Sequence, residues 1–179
     1  MNSLVKKYPE NDYILLMDEK NFPYGLKSYG FLFKRTRCLI SLLLSMGVSY
    51  IILACNTLSV LVLEDVKKLY NVPIHGVTEY LGELKEGKYA VLATEQTIKT
   101  GYFQKLLKDY QASFFCKTDF ISKIENNSYT KKDIDDLINS LREFDFIILG
   151  CTHFIRIKHE LKKELKGVIS QDDNIFIDY

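Results

Sequence analysis

The sequence has no glycine-rich phosphate loop, so ATP, NAD and pyridoxal phosphate find no recognisable seat in it. Its net charge is only +1. The lysines often sit beside acids, as in Lys131-Lys132-Asp133 and Lys162-Lys163-Glu164, a pattern of solvated helix faces. Charge therefore gives no case for nucleic acid or an anionic membrane as partner. There is no Cys-x-x-Cys pair, which argues against a structural zinc. The N-terminal stretch lacks the apolar core of a signal peptide, and the longest apolar run, near Leu39 to Met46, is too short to span a bilayer. These exclusions point to a soluble cytoplasmic protein whose four cysteines, Cys38, Cys55, Cys116 and Cys151, stay reduced.

What is present is enough for a core. The 179 residues are 47% hydrophobic, which suits one compact domain or two small lobes. Strand-length apolar runs are expected at 12–17, 50–54, 73–77, 89–93, 113–116, 145–149 and 174–178, alternating with helical patterns near 29–46, 58–70, 97–110, 130–144 and 154–165. Most of the runs are continuous in Ile, Leu, Val and Phe, which fits parallel strands covered on both faces. Gly47 is placed to end the first long helix, and Thr130 with Asp133 to cap another. The rhythm implies an α/β fold with sites at the carboxyl ends of strands.

Two segments stand out. Ile51-Ile52-Leu53-Ala54-Cys55-Asn56-Thr57 and Ile147-Ile148-Leu149-Gly150-Cys151-Thr152-His153 each read as a buried strand, a small residue, a cysteine, then polar residues opening a helix. A lone cysteine in apolar surroundings is usually a small core hydrophobe. Two in the same strand–Cys–helix setting argue for function, because helix-start N–H groups are expected to lower a thiol pKa toward neutrality. The repeat also suggests two pseudo-equivalent lobes with a cleft between them.

Asn56, Thr57, Thr152 and His153 can cap helices or grip a zwitterion. Phe22-Pro23-Tyr24-Gly25 is a turn that could cradle a carboxylate, with Tyr24 as a wall. Thr94 and Thr97 take the matching place after the strand ending at Ala93, and Glu125 is positioned to orient His153. Cys38 and Cys116 read as structural. Inverting a carbon centre that bears a weakly acidic proton needs a base on one face and an acid on the other. Two opposed cysteines can exchange those roles without a cofactor.

Ala54-Cys55-Asn56-Thr57-Leu58-Ser59 and Leu149-Gly150-Cys151-Thr152-His153-Phe154 resemble the two catalytic signatures of the glutamate racemases, within the aspartate/glutamate racemase superfamily. Pro23-Tyr24-Gly25 with Lys27-Ser28, His75-Gly76-Val77, Ala93-Thr94 to Thr97 and Glu125 resemble other family segments in order and spacing. The resemblance implies a cofactor-independent, metal-independent interconversion of L- and D-glutamate, supplying D-glutamate for peptidoglycan. It implies Cys55 and Cys151 as the acid/base pair and Tyr24, Gly25, Asn56, Thr57, Thr152 and His153 as substrate-binding residues. Glu125, Thr94, Thr97 and Pro23 would support them. It further implies two pseudosymmetric, doubly wound parallel-sheet lobes with the active site in the cleft, and a family in which homodimers are common. The expected division is 1–75 plus 168–179 for the first lobe and 76–167 for the second.

Against the family pattern, no residues match its first strand and Asp-Ser-Gly-x-Gly-Gly loop; Met1 to Lys7 fits the helix that follows. The C-terminal helix is likewise unmatched, so the first lobe is expected to be incomplete. Asp18-Glu19-Lys20-Asn21 stands where Asp-x-x-Arg is typical, and Phe154-Ile155 lacks a common proline. Two alternatives stay open: a racemase for aspartate or another small acid, and a degenerate relative that binds a ligand without turning it over.

Overall fold

The computed structural model describes residues 2–170. Helix α1 (Asn2–Lys7) is followed by an irregular stretch and two short 3₁₀ turns, Glu19–Asn21 and Tyr24–Leu26. Then come α2 (Tyr29–Ser45), β1 (Ile51–Leu53), α3 (Asn56–Leu61), α4 (Leu63–Lys67) and β2 (Ile74–Gly76). The second half runs β3 (Lys88–Ala93), α5 (Glu95–Lys99), α6 (Tyr102–Leu106), β4 (Gln111–Cys116), α7 (Thr118–Glu125), α8 (Lys131–Leu141), β5 (Phe146–Gly150), a 3₁₀ turn (Thr152–Ile157), α9 (Lys158–Glu164) and β6 (Val168–Ile169).

All pairings are parallel, and the strands form two sheets, β1-β2 and β4-β3-β5-β6. In the larger sheet Ala90, Leu92, Ile147 and Leu149 pack on one face with residues of α7, α8 and α9. Tyr89, Val91, Ala93 and Ile148 pack on the other with Phe103 and Leu107. Burial on both faces is why β3 and β5 read as unbroken apolar runs. Each fully buried Leu or Ile contributes about 1.5–3 kcal/mol relative to exposure. The smaller lobe packs Leu32 and Ile40 of α2, Leu58, Val62, Leu63 and Val66 against Ile51, Leu53 and Ile74.

Local signals explain the boundaries. Ser28 caps α2 by accepting from the Phe31 N–H. That helix ends in a Schellman turn: Gly47 is at φ +82°, its N–H bonds the Leu44 carbonyl, and the Val48 N–H reaches back to Leu43. Thr130 and Asp133 form the expected capping box at α8. The helical pattern at 58–70 starts earlier, at Asn56, and is distorted at Val62 (φ −123°, ψ −10°). The one at 97–110 is broken at Gly101, which sits at φ +72°.

Three expectations are corrected. Residues 12–17 form no strand; they have no regular secondary structure and join neither sheet, and Ile14, Leu15 and Met17 remain exposed. Helix α7 was legible only as an apolar segment, although Ile121 and Ile124 bury at helical spacing. Val168 and Ile169, assigned to the first lobe, pair instead with Ile147 and Ile148 at the edge of the second sheet, because β5 offers them a free parallel edge. The expected strand at 174–178 lies outside the described residues. No described helix is long and apolar enough to cross a membrane.

Candidate active site

The two cysteines occupy matching positions. Cys55 follows β1 and precedes α3 with φ −148°, ψ 121°; Cys151 follows β5 and precedes the 3₁₀ turn with φ −147°, ψ 132°. Both thiols are free. Cys55 is half-buried and Cys151 is buried. The 22–27 segment reaches the surroundings of both: Phe22 lies against His153 beside Cys151, and Tyr24 packs with Cys55 against the first-lobe core.

Burial governs their proton affinity. Cys151 is pushed up to about 12, mainly by desolvation, with smaller contributions from Cys55 and Glu125 and an opposing bond from the His153 N–H. Cys55 is also raised by desolvation, against bonds from the Leu58 and Thr57 N–H groups and the Thr57 hydroxyl. The expected lowering by helix starts is therefore overturned. The element after Cys55 is one six-residue helix and the one after Cys151 a 3₁₀ turn, too short for their N–H groups to outweigh lost solvation.

Around Cys151 the groups form a chain. Its Sγ is 3.4 Å from His153 Nδ1. His153 Nε2 is 3.1 Å from Glu125 Oε2, and Arg156 Nη1 is 3.7 Å from the same oxygen. A carboxylate at Nε2 assigns the proton to that nitrogen and leaves the Nδ1 lone pair facing the thiol. Desolvation lowers the His153 pKa despite the upward pull of Glu125, so the ring rests neutral at pH 7. Thr152 is half-buried beside it.

Around Cys55 the groups are hydroxyls. Thr57 Oγ1 lies 3.3 Å from Thr94 Oγ1 and 3.2 Å from Thr97 Oγ1, and Thr94 and Thr97 are 3.0 Å apart. Thr94 also caps α5 through the Thr97 N–H. Thr57 thus joins the two lobes and supports the Cys55 sulfur; at 3% exposure its hydroxyl is taken up by protein partners. Asn56 differs: it is 2% exposed, and neither Oδ1 nor Nδ2 has a hydrogen-bond partner among the described residues. A buried amide without a partner costs about 1–3 kcal/mol.

The segment from Phe22 to Lys27 bridges the lobes. The Phe22 ring lies 4.8 Å from the His153 ring. Pro23 precedes the 3₁₀ turn holding Tyr24 and Gly25. Gly25 is buried against Thr94: a Cβ there would sit 2.6 Å from Thr94 Cγ2, so its role is close approach of backbone to the second lobe. Gln96 Nε2 donates to the Lys27 carbonyl at 3.3 Å.

Sequence reasoning assigned no site role to three residues that lie close to these groups. Phe22 was seen only as part of a turn. Arg156, three residues after His153 on one turn, binds Glu125 and the Ile124 carbonyl; that spacing was the available signal. Asp18 pairs with Arg35 at 2.8 Å, a contact with no local sequence signature.

These observations define a class: a two-lobed α/β protein with a strand-end thiol at the matching position of each lobe, one beside a Glu–His pair and the other beside a threonine cluster that joins the lobes. Within that class, the chain belongs to the Asp/Glu/Hydantoin racemase family, which it matches over residues 1–172. It is 32% identical over 182 residues to the glutamate racemase of Clostridium novyi, covering 92% of this chain and 70% of that protein. To the glutamate racemase of Aquifex pyrophilus it is 31% identical over 180 residues, covering 94% and 71%. The solved glutamate racemase of Francisella tularensis in complex with D-glutamate superposes with a TM-score of 0.81 at 25% identity, covering 95% of this chain and 70% of that one. These relatives are isomerases.

Proposed function

We propose that this chain racemises glutamate by a cofactor-independent two-base mechanism, with Cys55 and Cys151 as the exchanging acid and base. The observation that carries the reading is the matched strand–Cys–turn geometry, with the 22–27 segment touching His153 beside one cysteine and Thr94 beside the hydroxyl cluster of the other. One sulfur, as thiolate, takes the α-proton; the other, as thiol, returns a proton to the opposite face of the planar carbanion. In the reverse direction they swap.

Cys151 rests as a thiol and is the ready donor. When it must act as base, His153 Nδ1 accepts its proton and Glu125 stabilises the resulting imidazolium. At Cys55, the Thr57 hydroxyl and the N–H groups of Thr57 and Leu58 stabilise the thiolate. The bare Asn56 amide, with Thr152, holds the substrate's polar groups, and Tyr24 and Gly25 wall the site. Thr94, Thr97 and Pro23 support this frame. The product serves peptidoglycan synthesis in the cytoplasm.

A second reading, ligand binding without turnover, is favoured by one observation: burial raises both thiols away from the ionised form needed for proton abstraction. One experiment decides between them. In D₂O, ¹H NMR follows loss of the α-proton from L- and D-glutamate while circular dichroism follows inversion, with L-aspartate in parallel. The proposal expects exchange and inversion of glutamate by the parent, and a fall of at least about 10²-fold in Cys55→Ala and Cys151→Ala. Protection of the thiols from alkylation by D-glutamate without exchange supports the binding reading. Aspartate turnover without glutamate turnover reassigns the substrate.

A further inference from the structure

Asp18 is the most heavily bonded carboxylate near the site, and nothing above gives it a role. Its side chain is 6% exposed. Arg35 of α2 grips it with both arms of the fork, Nε to Oδ2 and Nη2 to Oδ1, each at 2.8 Å. Asn21 Nδ2 donates to both oxygens, at 2.9 and 3.1 Å. The Tyr24 hydroxyl donates to Oδ2 at 2.5 Å. Every acceptor site is thus used, and the covering is made by the partners themselves rather than by deep core. Arg35 holds the carboxyl well below the usual carboxylate range, and burial together with Asp18 raises the Tyr24 phenol, so the pair stays carboxylate and neutral phenol.

The position of this cluster gives it meaning. The segment from Asp18 to Lys27 is tied to the first lobe at Asp18 and touches the second lobe at Phe22 on His153, at Gly25 on Thr94 and at the Lys27 carbonyl on Gln96. Those contacts lie beside Cys151 and the threonine cluster at Cys55. Tyr24 also packs with Cys55 against the first-lobe core. Among the described residues, the one ion pair that this strap makes is Asp18–Arg35, and a bidentate pair fixes direction as well as distance.

We infer that Asp18, held by Arg35, is a positioning residue that fixes the 18–27 strap as a wall over the two thiols and so sets how tightly glutamate is bound, without touching substrate. The inference deepens the proposed function and rests on it for the identity of the ligand. The placement of the wall itself does not.

The test compares the parent with Asp18→Asn, Arg35→Lys and Tyr24→Phe, using three readouts: KM and kcat for glutamate, alkylation rates of Cys55 and Cys151 by iodoacetamide in the free protein, and melting temperature. Asp18→Asn is expected to raise KM about tenfold with kcat within about threefold, and to speed alkylation of both thiols at least about fivefold. Arg35→Lys keeps the charge but loses the fork and is expected to fall between parent and Asp18→Asn. Adding Tyr24→Phe to Asp18→Asn is expected to change KM little further, since both break one chain of contacts. Unchanged KM and unchanged alkylation in Asp18→Asn overturn the inference, as does a lower melting temperature with neither change. If Asp18→Asn does not fold, Arg35→Lys and Tyr24→Phe decide by the same criteria. A parent with no turnover and no protection by D-glutamate defeats the proposed function, while the alkylation rates still judge the wall.

Discussion

Replacing Glu125 with glutamine tests the chain of groups behind Cys151. The carboxylate accepts from His153 Nε2 at 3.1 Å and sets the lone pair of Nδ1 toward the thiol. Glutamine can still accept at Nε2, so the tautomer survives; what is lost is the charge that stabilises the imidazolium formed when Cys151 gives up its proton. A hydrogen bond to a charged group contributes about 1.5–3 kcal/mol and a neutral one about 0.5–1.5. The side chain of Glu125 is 37% exposed and Arg156 shares it, so solvent and the guanidinium both discount the charge. The net loss is then about 1 kcal/mol at most, or about fivefold. The enantiomers have equal free energy, so kcat/KM must fall by the same factor in both directions, although kcat and KM need not divide it equally. Circular dichroism at a series of L- and D-glutamate concentrations measures this. A variant within twofold of the parent in both directions would refute a functional Glu125–His153–Cys151 chain.

Alkaline pH should destabilise the fold through Cys151. The unfolded thiol loses its proton above about 8.5, whereas the buried thiol keeps its own up to about 12. Within that window stability falls by up to about 1.4 kcal/mol per pH unit for this group, and urea titrations from pH 8 to 10 should show a limb that is shallower in Cys151→Ala, where the raised Cys55 thiol still adds to it. Gly25→Ala drives a Cβ to within 2.6 Å of Thr94; it should cost about 1–3 kcal/mol in chemical denaturation and weaken D-glutamate protection of the thiols. Thr130→Ala removes the capping box of α8 and should cost about 1 kcal/mol, with alkylation rates at Cys55 and Cys151 unchanged.

Much of this fold was legible because its strands are covered on both faces. Runs such as Ile147-Ile148-Leu149 have no amphipathic alternative, and the cysteine after each could be placed without coordinates. Residues 12–17 show the limit of that signal. An apolar run states a preference for pairing, but pairing also needs an available edge, which no local pattern reveals. Val168-Ile169 is the converse: two residues are too few to register as a strand until β5 supplies the neighbour. At the site, the residue identities were readable but the balance of forces was not. Helix starts argue for an acidic thiol and burial for a basic one, and only packing shows that burial wins at Cys151. The closeness of Thr57 to Thr94 and Thr97, like that of Asp18 to Arg35, is long-range and leaves no spacing to find.

The three threonine hydroxyls have a consequence of counting. They form a closed triangle with one proton per oxygen and three edges to fill. In the neutral state, one proton per edge closes the ring. Once Cys55 becomes an anion, it competes for the hydrogen of Thr57. That diversion leaves one side of the triangle with two oxygens facing each other and nothing between them. Ionisation at one sulfur thereby draws on the same hydroxyl that joins the two halves of the molecule, so a single hydrogen serves both the thiolate and the join.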